Sequence, residues 1–365
     1  MKNISTEELL LSHILHQGPI SRRELQTITT LSWGSVSSAT AELLRREIIC
    51  ESKDAVSSPG RSPGLLMANP SRNLCLGIDV NLVGYTFVIC DLAGNILEKR
   101  FLPIAGTKKD EVLSLLFKQT QDLIGRFGSL FSISISMQGT VDRVSGVSVR
   151  APQLTEWDHV PLCALFAERF GVPVRLYHDP DCLMNYHVRR TFSPGIRNAV
   201  VLRLDSGVGM SLLINRSIYE GAGNAGEIGH TVVCPGGQPC TCGKAGCLEA
   251  YASESGMALR AGVSPAVFRE RLEKEDPEAL RLLSECGSML GITAANLFLL
   301  LDPDILCLDG SMTRFYERFR PHFLAEIPPY LRERIFIAPC RNESAPIGAV
   351  LRTVDELAAV LLDQE

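Results

Sequence analysis

Gly221-Ala222-Gly223-Asn224-Ala225-Gly226-Glu227-Ile228-Gly229-His230, followed by Cys240-Thr241-Cys242-Gly243-Lys244-Ala245-Gly246-Cys247-Leu248-Glu249, is the most informative stretch of this 365-residue chain. His230, Cys240, Cys242 and Cys247 make a His-x9-Cys-x-Cys-x4-Cys run, and Gly236, Gly237, Gly243 and Gly246 leave its backbone free to fold around an ion. Four nitrogen and sulfur ligands with no carboxylate suit a closed tetrahedral site, so one structural Zn2+ per chain is expected. The plainer reading is a set of buried cysteines beside an unrelated histidine. Cys234 lies in the intervening loop and reads as a spare thiol. Glu227 and Glu249 bracket the run, and a bound metal would hold both near one place. Paired carboxylates beside an imidazole can grip vicinal hydroxyls, because each carboxylate accepts several hydrogen bonds. Taken alone, the same acids read as solvated loop residues.

Outward from this stretch the chain alternates strands and helices. Upstream, apolar runs at Leu74–Asp79, Tyr85–Cys90, Ile96–Ile104, Phe131–Met137 and Val174–Tyr177 read as strands, with helices over Lys108–Phe127 and Pro161–Phe170. After Asn198 the pattern restarts with strands Ala199–Leu204 and Gly209–Asn215, several helices, and strands Ile305–Asp309 and Ile335–Ile337. Two successive mixed α/β halves predict a two-lobed body with a cleft. Tyr177-His178-Asp179-Pro180-Asp181 joins a strand end to a helix start, where an acid can serve as a general base or a hydroxyl acceptor.

The first 70 residues differ in kind. Leu9, Leu10, Ile14 and Leu15 recur at helical spacing, and Ser21 with Glu24 is a capping box for a second helix. Ser32 caps a third run, Trp33 to Arg46, whose inner face is Val36, Ala39, Leu43 and Leu44. Ile48–Cys50 and Leu65–Met67 then flank the Pro/Gly-rich tip at 57–64 as two short strands. Three helices and a hairpin outline a winged helix-turn-helix. Its second motif helix would place Trp33, Ser35, Ser37 and Ser38 near base edges. Arg22 and Arg23 would meet phosphates, and Arg61 at the tip would enter a narrow minor groove, unless it is a mere linker residue. Seven Lys/Arg against seven Asp/Glu in this segment make nonspecific DNA binding weak and favour a dimer on two half-sites.

Composition sets the outer bounds. Apolar residues at 45% and charged residues at 21% exclude disordered and fibrous classes. The N-terminus lacks a secretory apolar core and no apolar run approaches a membrane span, so a cytoplasmic location with no membrane partner is expected. There, 12 cysteines are not expected to form a disulfide framework. A net charge of −5 offers no global basic field, so any DNA binding rests on the local N-terminal module.

The run from Gly221 to Glu249 closely resembles the signature of the ROK family (repressors, open reading frames and sugar kinases). Gly139-Thr140-Val141-Asp142 and Ala151 to Trp157 resemble its substrate-side loop, and Ala345–Ala349 its C-terminal helix start. Gly18–Arg22 and Gly60–Pro63 resemble the DNA-binding arm of its repressor branch. The resemblance implies a winged helix-turn-helix (1–70) followed by a two-lobed actin-like ATPase fold of the ribonuclease H-like, hexokinase type. The first lobe would be 71–178, completed by a C-terminal helix at 350–365. The second, 179–349, would hold the zinc site and a dimerisation surface. It also implies that Gln153, His178, Asp179, Glu227, His230 and Glu249 bind a sugar, with Asp179 at the kinases' catalytic position.

Departures fall on the nucleotide side. Family kinases open with Asp-x-Gly-Gly-Thr, where this chain has Asp79-Val80-Asn81-Leu82-Val83. Their Gly-Thr-Gly phosphate loop is Asp205-Ser206-Gly207 here, and their adenosine-side Gly-Gly is Asp309-Gly310. A carboxylate at 205 meets a triphosphate with like charge. The expectation is therefore a non-enzymatic, sugar-responsive repressor, dimeric or tetrameric, taking operator DNA and a sugar or sugar phosphate. The alternative is an ATP-dependent sugar kinase with a fused DNA arm.

Overall fold

The computed structural model describes residues 4–52, 64–104, 106–151, 154–222 and 225–363. The chain divides into two compact units, 1–178 with 345–365, and 179–344.

The first unit begins with α1 (Thr6–Gln17), α2 (Arg22–Thr29) and α3 (Trp33–Arg45), each started by a serine whose side chain accepts an amide hydrogen bond. Both halves of the Ser21/Glu24 capping box are present. β1 (Ile49–Glu51) and β2 (Leu66–Ala68) pair antiparallel, so helices and hairpin together make a winged helix-turn-helix. Thr40 is buried on the inner face of α3 with Val36, Ala39 and Leu43, whereas Leu44 is only half-buried.

The chain continues through β3 (Cys75–Val80), β4 (Gly84–Cys90), β5 (Ile96–Pro103), α4 (Lys109–Phe127), β6 (Ser132–Met137), β7 (Thr140–Asp142), β8 (Val147–Arg150), β9 (Asp158–Val160), α5 (Leu162–Phe170) and β10 (Val174–His178). The main sheet has the order β10-β6-β3-β4-β5, and β7-β8-β9 form a separate small sheet that sequence periodicity did not reveal. The C-terminal helix, Ser344–Asp363, begins at the Ala345–Ala349 segment expected as its start, upstream of the 350–365 span assigned to the first lobe. Its first turn lies so close to β3 that a Cβ on Gly77 would stand 2.5 Å from the Pro346 carbonyl oxygen. Only glycine permits that approach.

The winged arm is not separable from the lobe beside it. Leu10, Leu11, Ile14, Ile49 and Leu66 share one buried cluster with Cys75, Leu92, Phe131, Val350, Val354, Leu357 and Leu361. Arg46 donates to the Leu361 and Leu362 carbonyls at 2.9 and 2.6 Å, satisfying acceptors at the end of the C-terminal helix. His16 meets Asp355 at 3.1 Å. An independent domain at 1–70 would leave these apolar faces in water.

The second unit carries α6 (Asp179–Arg190), β11 (Ala199–Leu204), β12 (Val208–Ile214), β13 (Ser217–Ile218), α7 (Glu249–Ala252), α8 (Glu254–Arg260), α9 (Pro265–Glu273), α10 (Pro277–Leu301), β14 (Ile305–Asp309), α11 (Tyr316–Ala325) and β15 (Ile335–Ile337). Its sheet order is β13-β12-β11-β14-β15, two antiparallel pairings followed by two parallel ones. The first unit's sheet, read from β5 to β10, has the same sequence of pairings. Helix α10 is long and apolar enough to span a bilayer by length and composition, unlike the sequence expectation, and 56% of that apolar window is buried. Leu282, Leu283, Leu290, Leu297 and Phe298 on it belong to the core of this unit.

Candidate metal centre and carboxylate site

The start of β12 gathers the site of the second unit. Val208 N–H donates to the Glu249 carboxylate at 3.3 Å, and Met210 N–H donates to the Gly226 carbonyl at 3.0 Å. On the same strand a Cβ at Gly209 would stand 2.8 Å from Pro180, so glycine admits the first turn of α6. Ser211 donates to Asp181 at 2.6 Å and pins that turn. Asp179, Glu227, His230 and Glu249 are therefore all carried by elements resting on one strand. Asp179 is 3% exposed, Glu249 is half-buried, and Glu227 keeps 41% of its side chain in solvent. His178 closes β10 of the first unit, paired with Met137. Gln153 lies outside the described residues.

Glu227 leads into a 3-10 turn, Ile228–His230, that ends on the imidazole. His230 Nδ1 stands 3.5 Å from Cys240 Sγ, while Nε2 turns toward Glu227 at 3.9 Å. One ring thus joins two sites. Cys242 Sγ and Cys247 Sγ are 3.6 Å apart, and the four ligand atoms of His230, Cys240, Cys242 and Cys247 lie within 4.8 Å of one another. Tetrahedral sites with ~2.1–2.3 Å bonds need ligand separations of about 3.4–3.8 Å; the 3.5 and 3.6 Å contacts match this, and the remaining pairs lie within 4.8 Å, so the donor set could hold a metal ion. The supporting loop is tight: Gly243 N–H donates to the Cys240 carbonyl at 3.0 Å, and Cys240 N–H to that of Lys244 at 2.8 Å. The Lys244 backbone N–H draws the Cys242 thiol below its ordinary value. Burial pushes the Cys247 thiol up to about 12. Cys234 is absent from this set, and its thiol belongs with the Tyr251 hydroxyl instead.

Sequence reasoning missed Arg203. This guanidinium, 7% exposed, meets Asp179 at 2.9 Å and Asp205 at 2.7 Å, and Asp205 also accepts from Ser311 N–H at 2.6 Å. Next to it, His187 meets Asp309 at 2.7 Å, and both are buried. A single arginine inside the otherwise apolar run Ala199–Leu204 was the available signal.

The loop after β3, in the first unit, is also internally satisfied. Asp79 accepts from Ser136 and Asn81, both at 2.6 Å. Asn81 Oδ1 in turn accepts from the backbone N–H groups of Val83 and Gly84 at 2.8 and 3.1 Å.

On the arm, Trp33 is 49% exposed and Ser37, Ser38 and Arg23 are exposed. Ser35 is half-buried and tied to Ser32 at 2.9 Å. The Arg22 guanidinium donates to Thr40 at 3.1 Å and Glu51 at 2.9 Å, joining α2 to α3 and the wing strand. Arg61 lies outside the described residues.

Comparison with known proteins follows the same lines. The xylose repressor of Caldicellulosiruptor bescii is 26% identical over 361 residues, covering 92% of this chain and 89% of that protein. A ROK family transcriptional regulator described as a homolog of the E. coli MLC protein superposes with a TM-score of 0.78 at 21% identity, covering 98% of both chains. A ROK family glucokinase from Streptomyces griseus, solved with glucose and AMPPNP, has a TM-score of 0.66 at 22% identity, covering 76% of this chain and 98% of the kinase. These neighbours place the two α/β units in the two-lobed actin-like fold. The ROK family profile matches residues 75–350, the span that holds the metal run and its bracketing acids, and the chain belongs to the ROK family.

Proposed function

We propose that this protein is a sugar-responsive transcriptional regulator, most simply a repressor, whose body senses a sugar without phosphorylating it. The observation that carries this reading is a winged helix-turn-helix in the same chain as an acid site whose turn carries a His/Cys3 cluster able to hold a metal. Asp179, Glu227, His230 and Glu249 supply acceptors for sugar hydroxyls. Zn2+ is the metal that suits one imidazole and three thiolates, and its role is to fix the His230 turn and Glu249 relative to each other. The likeness to a xylose repressor makes a pentose or hexose the effector class to test first.

Absence of kinase activity is argued from the phosphate-side residues. The amides after Asp79 are engaged by Asn81, and Asp205 is engaged by Arg203 and Ser311. Asp205 adds like charge where a triphosphate would lie, and part of the amide set after Asp79 is already engaged. The arm, acting in a dimer, reads two half-sites through Trp33, Ser37 and Ser38, with Arg23 on the backbone and Arg61 at the wing tip. Sugar binding favours one conformation, and operator affinity follows that population. The test is sugar phosphorylation and sugar-dependent release of operator DNA, measured on the same zinc-replete preparation. Turnover in the ordinary kinase range of ~1–100 per second, lost in Asp179→Asn, would replace the regulator by the kinase.

A further inference from the structure

We propose that Arg203 sets the chemical class of the effector, which is a neutral, unphosphorylated sugar; this deepens the sensor reading above and rests on it. Arg203 lies near the end of β11, where every neighbour along the strand is buried and apolar apart from itself. Its Nη1 stands 2.9 Å from Asp179 Oδ2 and its Nε 2.7 Å from Asp205 Oδ2. The guanidinium stands against a carboxylate that is only 3% exposed, and this ion pair fixes where Asp179 presents its acceptor oxygens. A hydroxyl, which donates, is what such a group recognises.

The same geometry disfavours a phosphate. Arg203 already shares its one charge between two carboxylates, so the trio is net negative. Three other basic side chains of this unit, Arg269, His187 and His230, are already engaged. Arg269 is forked onto Glu254 at 2.7 and 2.9 Å, and Glu254 N–H donates to the Asp205 carbonyl at 2.9 Å. His187 is bound to Asp309, and His230 has one ring nitrogen against Cys240 and the other turned to Glu227. Glu227 and Glu249 add two further carboxylates to the same unit. A phosphoryl dianion entering beside Asp179 meets like charge in a partly desolvated place, where repulsion is least screened. Arg203 is a positioning residue for Asp179, and the field it leaves selects against the anion.

Calorimetric titration of the zinc-replete full-length protein tests this with matched pairs: glucose and glucose 6-phosphate, N-acetylglucosamine and its 6-phosphate, xylose and xylose 5-phosphate. The neutral member of at least one pair binds, and its phosphate binds at least tenfold more weakly. Raising NaCl from 50 to 500 mM narrows that ratio by screening the repulsion. Asp205→Asn, which returns charge to Arg203 while keeping an acceptor for Ser311 N–H, shifts the ratio at least fivefold toward the phosphate. A purely structural Arg203–Asp205 pair would leave the ratio unchanged in Asp205→Asn. Equal or tighter binding of a phosphorylated member overturns the inference and leaves the sensor reading standing. An unchanged ratio in well-folded Asp205→Asn and across the salt series removes Arg203 from the selection. Binding of no sugar in any pair overturns both readings.

Discussion

Leu357→Ala tests whether the winged arm and the first lobe are one folding unit. Leu357, on the C-terminal helix, is 4% exposed inside the cluster that joins arm helices α1–α3 to Cys75, Leu92 and Phe131. Truncating a buried leucine to alanine costs about 2–5 kcal/mol, most where the site cannot collapse. Near the end of a terminal helix some collapse is expected, so the lower part of the range, about 2–3 kcal/mol, applies. For a cooperative unit of about 200 residues, a cost of 1 kcal/mol lowers Tm by about 2–4 °C. The fall should be roughly 5–10 °C. Calorimetry reports its size, and hydrogen exchange resolved by peptide reports where it is felt. Peptides from α1–α3 and from β3–β6 should lose protection together, because they share this cluster. Loss confined to the arm, with β3–β6 protected as in the parent, would refute the shared core and restore an independent domain at 1–70.

Further expectations concern the metal, the arm and the close approach at β3. Freshly isolated protein should carry about one zinc per chain, and Cys242→Ser should lower both zinc content and sugar response while α1–α3 stay folded; metal analysis with far-UV and exchange measurements decides this. Arg23→Ala should weaken operator and random DNA alike and reduce the salt slope by about one unit. Arg22→Ala should instead lower thermal stability in common with Glu51→Gln and leave the salt slope unchanged, since its guanidinium is spent on Thr40 and Glu51. Gly77→Ala should destabilise the first unit by at least ~2 kcal/mol in denaturant unfolding, because the added Cβ would stand 2.5 Å from a backbone oxygen.

What the sequence disclosed was mostly local. The metal run was legible because its ligands fall within 18 residues and glycines mark the turns between them. Most strands of the two main sheets were legible as short apolar runs, although β5 is largely exposed and the two-residue β13 was missed, and Ser21 with Glu24 announced α2 by itself. What escaped depended on distant partners. Glu51, 29 residues from Arg22, gives that guanidinium a partner within the arm. The Arg203 fork needs Asp179, 24 residues earlier, brought beside the end of β11. The small sheet β7-β8-β9 was missed because strands of three or four residues with half-exposed faces carry almost no periodic signal. The arm's union with the lobe was invisible for a similar reason: apolar faces of α1 and of the C-terminal helix each look complete until they are packed together.

The most direct test of the regulator reading is a single titration by fluorescence anisotropy. A duplex selected by the full-length protein from a random library is held at half-saturation, and neutral sugars are added singly, with and without Mg-ATP. The account predicts that at least one sugar lowers operator affinity tenfold or more, equally in the presence and absence of ATP. Glu249→Gln should blunt that response while keeping sugar-free DNA binding, since Glu249 lies on the second unit and the DNA-reading helix on the first. A duplex whose affinity ignores every sugar, or responds only while ATP is being consumed, would contradict it.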